Sequence, residues 1–153
     1  MEGYLEDFVV GQRMQTRGRT IGESDILSYA GLTGDHTPIH VDETFARNTR
    51  YGTRIAHGPL ILSMGLGLFT QLGVFDRHLI GLLGIEWKIM HPVKIGDTIR
   101  TNITVREARP ASKPGSGVVR FEIEIVNQHD QVVHAGTMAV LVQARGSNEQ
   151  TVA

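Results

Sequence analysis

An almost wholly apolar segment in the middle of the chain, from Gly58 to Gly73, most constrains the fold. Pro59 stands at a natural first position of a helix, and Gly73 is a typical helix-ending residue. A helix that is apolar nearly all round has to be buried on every side. Gly65 and Gly67 each cost such a helix about 1 kcal/mol relative to Ala, and close contact with a sheet would explain why they are tolerated. The rest of the fold is therefore expected to surround this helix.

The sequence that follows this helix predicts a run of strands. Four segments have strand-like patterns, with clear alternation of apolar and polar residues in the second and third: 79–88, 97–106, 119–125 and 132–142. The segments 109–117 and 127–131 are rich in turn-forming residues and predict hairpin loops. One buried helix and a run of antiparallel strands predict an α+β class, with residues 1–153 forming a single hotdog domain whose sheet wraps around the helix.

The first part of the chain predicts shorter elements. The polar, alternating segment 14–21 predicts a strand near an edge of the sheet. Glu23, Ser24 and Asp25 offer N-cap chemistry for a helix that Gly31 and Gly34 end, and a second short helix is predicted over 42–48. At the other end, the polar segment 145–153 predicts a frayed tail.

Composition excludes several classes of function. The chain has 153 residues, which suits one domain, and its net charge of −1 provides no broad field for nucleic acid or an acidic membrane. The longest apolar stretch, 59–75, is too short and too interrupted to span a membrane, and the acidic start does not resemble a secretory signal. The absence of cysteine excludes disulfides, thiolate metal sites and a cysteine nucleophile. We therefore expect a cytoplasmic protein that binds neither nucleic acid nor membrane.

Asp35 and His40 form the candidate catalytic pair. They lie on a short segment between two predicted helices, where Pro38 stiffens the chain and favours extended geometry at Thr37. A carboxylate and an imidazole on one rigid loop can converge on a water, take a proton from it and place one on an adjacent carbon. Taken singly, Asp35 as a helix cap and His40 as a surface or core histidine would be the simpler interpretation. The rigid loop and the nearby glycine-rich helix start favour the functional one.

The motif around this pair resembles the signature of the MaoC-like, (R)-specific enoyl-CoA hydratase family. In that signature an aromatic residue leads to Gly-Asp-x-Asn-Pro-aliphatic-His and then to a small residue. The matching positions here are Tyr29, Gly34, Asp35, Pro38, Ile39, His40 and Ala46. The segment 56–63 and the pair Gly96-Asp97 also resemble the family, so the resemblance covers about 21–142. Thr37 stands where the family usually has Asn, which is interpreted as a change in how the loop is braced.

The resemblance implies a reaction and a set of site residues. Asp35 and His40 would be the catalytic residues of an (R)-specific hydratase or dehydratase that acts on the C2–C3 bond of an enoyl or 3-hydroxyacyl thioester. The candidates for oxyanion or substrate contact are Gly58, His57, Ser63 and Tyr29. The Gly58 amide at a helix start suits a developing oxyanion. Ser63 resembles the residue that orients the catalytic Asp, although a serine that bonds back to its own helix is equally compatible with the sequence.

No metal or organic cofactor is expected. Asp35, His36, His40 and Asp42 could suggest a metal site, but Pro38 between the two histidines precludes the helical turn that would place both on one face. The glycines of the central helix do not have the spacing of a dinucleotide-binding loop, and no strand directly precedes them.

Two other functions remain open at this stage. Hotdog thioesterases commonly carry an acidic residue on or near the central helix, and the absence of Asp and Glu from 59–72 argues against that activity. A non-catalytic module that binds acyl-CoA or an acyl-carrier thioester is the other alternative, with Thr37 marking a decayed site. For all three functions a homodimer is expected, because so small a wrapped sheet usually leaves one side or edge in need of cover.

Overall fold

The computed structural model describes residues 2–146, which fold into one antiparallel sheet and a set of helices. The strands are β1 (Arg13–Gln15), β2 (Arg19–Thr20), β3 (Leu79–Ile89), β4 (Thr98–Pro110), β5 (Ser116–Val126) and β6 (Val132–Gln143). The helices are α1 (Glu23–Thr33), α2 (Pro38–Val41), α3 (Glu43–Arg47) and α4 (Gly58–Thr70), preceded by a 3₁₀ turn at Leu5–Asp7.

The sheet has the strand order β1-β4-β5-β6-β3, and β2 pairs with β4 beyond β1. All described pairings are antiparallel. The concave face of this sheet packs against α4, whose buried residues are Leu60, Ile61, Met64, Gly65, Leu68 and Phe69. The architecture is therefore the α+β hotdog arrangement that the sequence predicts, with the sheet wrapped around the central helix.

Helix α4 approaches the sheet most closely at Gly65. A Cβ atom at this position would lie 2.2 Å from Cδ1 of Ile125 and 3.3 Å from Oγ1 of Thr101, whose hydroxyl donates to the Gly65 carbonyl at 3.0 Å. The expected close contact with the sheet thus explains Gly65. It does not explain Gly67, where an added Cβ would meet nothing within 4 Å.

The burial of α4 is less complete than its composition predicts. Pro59 and Ser63 are exposed and Leu66 is half-buried in the single chain, so one side of the helix faces away from the sheet without full cover. The expectation of burial on all sides is therefore wrong for one subunit alone. The sheet reaches only one side of the helix, and no described element covers the other.

Four sequence-predicted boundaries differ from the structure. The strand predicted over 14–21 is split into β1 and β2, because the Thr16 hydroxyl accepts the Thr101 amide at 2.9 Å and interrupts the main-chain ladder. Helix α1 continues through Gly31 to Thr33. The loop predicted over 109–117 is shorter, since the β4–β5 ladder continues to the pair Pro110–Gly117. The fourth difference, at α2, concerns the candidate site.

The segment 145–153 lies mostly outside the described residues, since only its first two positions are described. Arg145 is tied down, because its amide donates to Glu6 at 3.0 Å and its guanidinium contacts Asp7 at 2.6 Å. The predicted fraying is therefore wrong at Arg145, and residues 147–153 lie outside the described part. Among residues 2–146, no helix is long and apolar enough to cross a membrane.

Candidate active site

The turn between α1 and α2 brings Asp35 and His40 to one place. Helix α1 ends at Gly34, whose φ of 77° turns the chain in the left-handed conformation. Thr37 is extended, and Pro38 occupies the first position of the one-turn helix α2, where a proline is favourable. The sequence predicts a short Pro-stiffened loop between two helices, and the structure differs at its end, because Pro38 begins the new helix α2, which includes His40.

His57 joins this pair from the residue that caps α4. Its side chain is 1% exposed, its Nε2–H donates to the main-chain carbonyl of Asp35 at 3.0 Å, and its ring stacks on that of His40 with 3.8 Å between centroids. One ligand-type atom from each of Asp35, His40 and His57 lies within 4.8 Å of the others. His57 therefore contacts both Asp35 and His40.

The hydrogen bond of His40 fixes which ring nitrogen is basic. Nδ1 of His40 lies 2.8 Å from the carbonyl oxygen of Ile55. A carbonyl can only accept, so Nδ1 carries the hydrogen and the neutral ring keeps its lone pair on Nε2. Nε2 of His40 is therefore available to take a proton from a bound water.

Thr37 braces the carboxylate of Asp35. Its hydroxyl donates to Oδ1 of Asp35 at 2.6 Å and its amide donates to the same oxygen at 3.2 Å. These two bonds, with smaller contributions from His57 and His40, hold the pKa of Asp35 below its ordinary value. The Asp35 side chain is 45% exposed, so the ionised carboxylate remains accessible to water and ligand.

Gly58 lies at the N-terminus of α4 and on the wall of a cleft. As the first helical residue its amide has no partner within the helix. A Cβ atom at Gly58 would lie 2.3 Å from Cδ1 of Ile89, so glycine is required for β3 to pass this close. The cleft has a volume of about 490 Å³, and its lining includes His40, Arg50, Gly58, Ile89, His91 and His134.

The two remaining predicted residues, Tyr29 and Ser63, differ in their relation to the pair. Tyr29 packs its ring against that of His57 at 4.9 Å between centroids, so it contacts the pair through His57. Ser63 is exposed, and its hydroxyl donates to the Pro59 carbonyl of its own helix at 2.9 Å. Its role in orienting Asp35 stays a prediction, and this bond is the one expected of a serine that serves its own helix.

Hydrogen bonds restrict which atoms of the Asp35, His40 and His57 cluster could bind a metal ion. A ring nitrogen that carries a hydrogen cannot also be a ligand, and both Nε2 of His57 and Nδ1 of His40 donate to main-chain carbonyls. This leaves three atoms able to act as ligands: a carboxylate oxygen of Asp35, Nε2 of His40 and Nδ1 of His57, which is buried without a hydrogen-bond partner among residues 2–146. The expectation that no metal is bound therefore stays a prediction. Asp42, considered above as a ligand, accepts the Phe45 amide at 2.9 Å as the N-cap of α3.

Sequence reasoning missed three features of the site. The carbonyl of Ile55 carries no signal in the sequence, because any residue supplies the same main-chain group. Arg50 lies on the cleft wall, whereas the side chains of Lys94 and Arg100 bond to the Tyr51 carbonyl and to Asp130. His134 is also on the cleft wall, in a strand whose apolar neighbours gave no reason to single it out.

Comparison with known proteins gives consistent matches. The family model described as "MaoC like domain" matches residues 7–127. The chain is 38% identical over 147 residues to the (R)-specific enoyl-CoA hydratase of Rhodospirillum rubrum, which covers 94% of each protein. It is also 38% identical over 104 residues to the protein MaoC of Klebsiella aerogenes, covering 67% of this chain and 30% of that protein.

A solved structure shares the fold over almost its whole length. The MaoC-like dehydratase from Rhodospirillum rubrum superimposes with a TM-score of 0.83 at 27% identity, covering 93% of this chain and 97% of that one. The chain thus spans nearly all of some relatives and less than a third of the Klebsiella aerogenes protein.

Proposed function

Because this chain belongs to the MaoC-like family, we propose that it is an (R)-specific hydro-lyase that adds water to the C2–C3 double bond of an enoyl-CoA or removes it from a 3-hydroxyacyl-CoA. The relative that matches over the longest stretch here is named an (R)-specific enoyl-CoA hydratase. A further relative, 37% identical over 111 residues, is named 3-hydroxybutyryl-CoA dehydratase. The two names describe the same chemistry in opposite directions.

The observation that carries this proposal is the pairing of an ionised carboxylate with an imidazole of known tautomer. Thr37 lowers the pKa of Asp35, and the neutral form of the His40 imidazole carries its lone pair on Nε2 because its Nδ1 donates to the Ile55 carbonyl. Both groups are hydrogen-bond acceptors that can bind the two hydrogens of one water. Such a water has its oxygen lone pairs directed away from both groups and toward a ligand.

The reaction follows from this arrangement. One O–H bond of the water breaks as its proton passes to Nε2 of His40 or to Asp35, and the oxygen forms a bond to C3 of the enoyl group. The π electrons of the C2–C3 bond move toward the thioester carbonyl, whose developing negative charge the Gly58 amide stabilises at the start of α4. C2 then takes a proton from the same pair, so one water is added in total. Asp35 and His40 act as a coupled pair, so the proton at each step is assigned to the pair and not to one residue.

The direct test is the hydration of crotonyl-CoA, followed by loss of the enoyl absorbance. We expect the wild-type protein to turn over, and Asp35→Asn and His40→Ala each to lower kcat by at least about 100-fold, the contribution expected of a general acid or base. Ser63→Ala serves as a comparison, and it lowers kcat only if that hydroxyl reaches Asp35. Unchanged turnover in both Asp35→Asn and His40→Ala would refute the residue assignment, and release of free thiol without hydration would indicate a thioesterase.

We further propose that the protein is a homodimer of single-domain subunits joined along β3. This strand is at the end of the sheet and has eleven residues, with no partner on its outer side among residues 2–146. Apolar side chains on and just after it are 42–60% exposed, namely Leu79, Ile80, Leu82, Leu83, Ile89 and Met90. A long, apolar, unpaired edge is a site for strand pairing, and a second copy would also help to cover the exposed side of α4.

A cytoplasmic location completes the proposal. It is supported by a cysteine-free sequence and by the use of coenzyme A thioesters by the relatives named above. Cell fractionation of the native host with antibody detection tests it, and recovery in the membrane or secreted fraction would contradict it.

A further inference from the structure

His134 is a buried histidine that the reaction described above does not use. It lies on β6, is 1% exposed, and pairs across the sheet with Ile125 of β5 and Ile89 of β3. Those two neighbours are the residues that touch α4, since Ile89 contacts Gly58 and Ile125 contacts Gly65. Because paired residues of an antiparallel sheet share a face, His134 is on the face turned toward the start of α4.

A hydrogen bond from Trp87 fixes the tautomer of this histidine. Nε1 of Trp87 donates to Nδ1 of His134 at 3.1 Å. The indole N–H can only donate, so Nδ1 of His134 is unprotonated. Burial lowers the pKa of His134 to about 4, and the ring is therefore neutral near pH 7. A neutral imidazole whose Nδ1 accepts carries its hydrogen on Nε2.

Gly136 makes this bond possible. It is the residue opposite Trp87 in the β3–β6 pair, and a Cβ atom there would lie 2.3 Å from the indole ring. Without a side chain at this position, the indole lies flat against β6 and its N–H reaches His134 two residues away. Trp87 and Gly136 together thus hold the imidazole of His134 in one tautomer.

The Nε2–H of His134 is available to donate a hydrogen bond to a ligand in the cleft. None of the hydrogen bonds among residues 2–146 uses this nitrogen, whereas Nδ1 is occupied by Trp87. His134 lines the same 490 Å³ cleft as His40 and Gly58. A fixed, neutral N–H donor therefore shares a wall with the proposed catalytic base and the proposed oxyanion contact.

We propose that His134 positions the substrate by donating Nε2–H to the carbonyl oxygen of the acyl thioester. This inference rests on the proposed function and adds a second donor beside the Gly58 amide. A carbonyl oxygen accepts two hydrogen bonds, and a donor already held in place requires no reorganisation when the ligand binds. The thioester carbonyl is the acceptor that must lie near Gly58 for the hydration to be assisted there.

Calorimetric binding of butyryl-CoA and of free coenzyme A tests this assignment without requiring turnover. Butyryl-CoA has the thioester carbonyl but no double bond, and free coenzyme A lacks the carbonyl. We expect His134→Leu to weaken butyryl-CoA binding about five- to tenfold, the value of one neutral hydrogen bond, and to leave coenzyme A binding unchanged. His134→Gln, which keeps an N–H donor near the position of Nε2, should recover most of the loss.

A measurement on the wild-type protein removes any dependence on how the variants fold. Long-range ¹H–¹⁵N spectra of histidine-labelled protein should show His134 as the Nε2–H tautomer, and its Nε2–H signal should move downfield on addition of butyryl-CoA but not of coenzyme A. Trp87→Phe removes the indole donor and should allow the Nδ1–H tautomer to appear.

The outcomes separate this inference from the proposed function. Equal effects of His134→Leu on both ligands, no effect on butyryl-CoA, or an Nδ1–H tautomer in the wild type would each overturn the role of His134. A wild-type protein that binds butyryl-CoA as described but does not hydrate crotonyl-CoA would overturn the proposed function while supporting this contact. Failure of the wild type to bind butyryl-CoA would overturn both.

Discussion

At the scale of single residues, the site is defined by hydrogen bonds that assign protons. Ile55 makes Nε2 of His40 basic, the Asp35 carbonyl receives the hydrogen of His57, and Trp87 makes Nε2 of His134 a donor. Each assignment follows because the partner can only accept or only donate. Partners that can only donate or only accept thus determine which ring nitrogen of each neutral histidine carries the hydrogen.

Thr37 provides a test of the electrostatics at this scale. Since its two hydrogen bonds favour the carboxylate, Thr37→Val should raise the pKa of Asp35 toward the ordinary value of 3.8. A lowered pKa in the folded protein stabilises it above the pKa of the unfolded chain, and that stabilisation is lost as pH falls through the folded pKa. The variant should therefore lose the Asp35 charge at a higher pH than the wild type, which ¹³C NMR of the Asp35 carboxyl measures.

Thr33→Val is the matched control for this substitution. The Thr33 hydroxyl contacts the Asp35 amide at 3.3 Å and the Tyr29 carbonyl at 2.7 Å, so it touches the main chain of Asp35 but not the carboxylate. The titration curve of Asp35 in the Thr33→Val variant should match that in the wild type. Equal titration curves in Thr37→Val and wild type would show that the threonine hydroxyl does not brace the carboxylate.

At the scale of elements, α4 connects the site to the sheet. Its first residue, Gly58, lies on the wall of the cleft, and about two turns later Gly65 contacts Thr101 of β4 and Ile125 of β5. Because the close approach at Gly65 fixes the distance between helix and sheet, it also fixes how far Gly58 stands from Ile89. The geometry of the helix start therefore depends on a contact made deep in the core.

The two interior glycines of α4, Gly65 and Gly67, should respond oppositely to substitution by alanine. Gly65→Ala forces a methyl group against buried Ile125 and should lower the free energy of unfolding by about 1–3 kcal/mol, as overpacking of a core does. Gly67→Ala meets nothing within 4 Å and should raise it by up to about 1 kcal/mol, the difference in helix propensity. Urea unfolding of both variants measures these changes, and destabilisation of similar size in the two would refute the proposed contact.

At the scale of the whole molecule, the described chain leaves one edge and one helix side open. The outer edge of β3 carries exposed leucine and isoleucine side chains, and the side of α4 that bears Ser63 faces away from the sheet. Monomeric domains usually protect such edges with charges, prolines or bulges. A second copy that pairs along β3 would satisfy the strand and shield the apolar surface together.

A charged substitution on the outer edge of β3 tests the proposed dimer. Leu82→Glu should weaken self-association by at least about tenfold, because pairing would place an unpaired carboxylate in an apolar interface. Val9→Glu, at another exposed apolar position outside the sheet, should leave it unchanged. Sedimentation velocity over a range of protein concentrations measures the strength of self-association of each variant. A monomeric wild type at high concentration, or equal behaviour of the two variants, would contradict pairing along β3.

Much of the fold and the centre of the site could be predicted from the sequence. A continuous apolar segment predicted α4, and strand-like patterns predicted the four long strands, with clear alternation in two of them. The proximity of Asp35 and His40, the proposed catalytic pair, was also predictable, since they are five residues apart on a segment that Pro38 stiffens. Thr37 was predicted to alter the bracing of that loop, and its two bonds to Asp35 identify how it does so.

Only the tertiary structure decided the features that join distant parts of the chain. Three features depend on the register of β3 and β6 and on the position of α4. They are the contact of His57 with Asp35 and His40, the tautomers determined by Ile55 and Trp87, and the position of His134 on the cleft wall. Local sequence fixes backbone preference and polarity at each position. It cannot specify which carbonyl or ring nitrogen, tens of residues away, will lie within hydrogen-bonding distance, because that is determined by the packing of the whole domain.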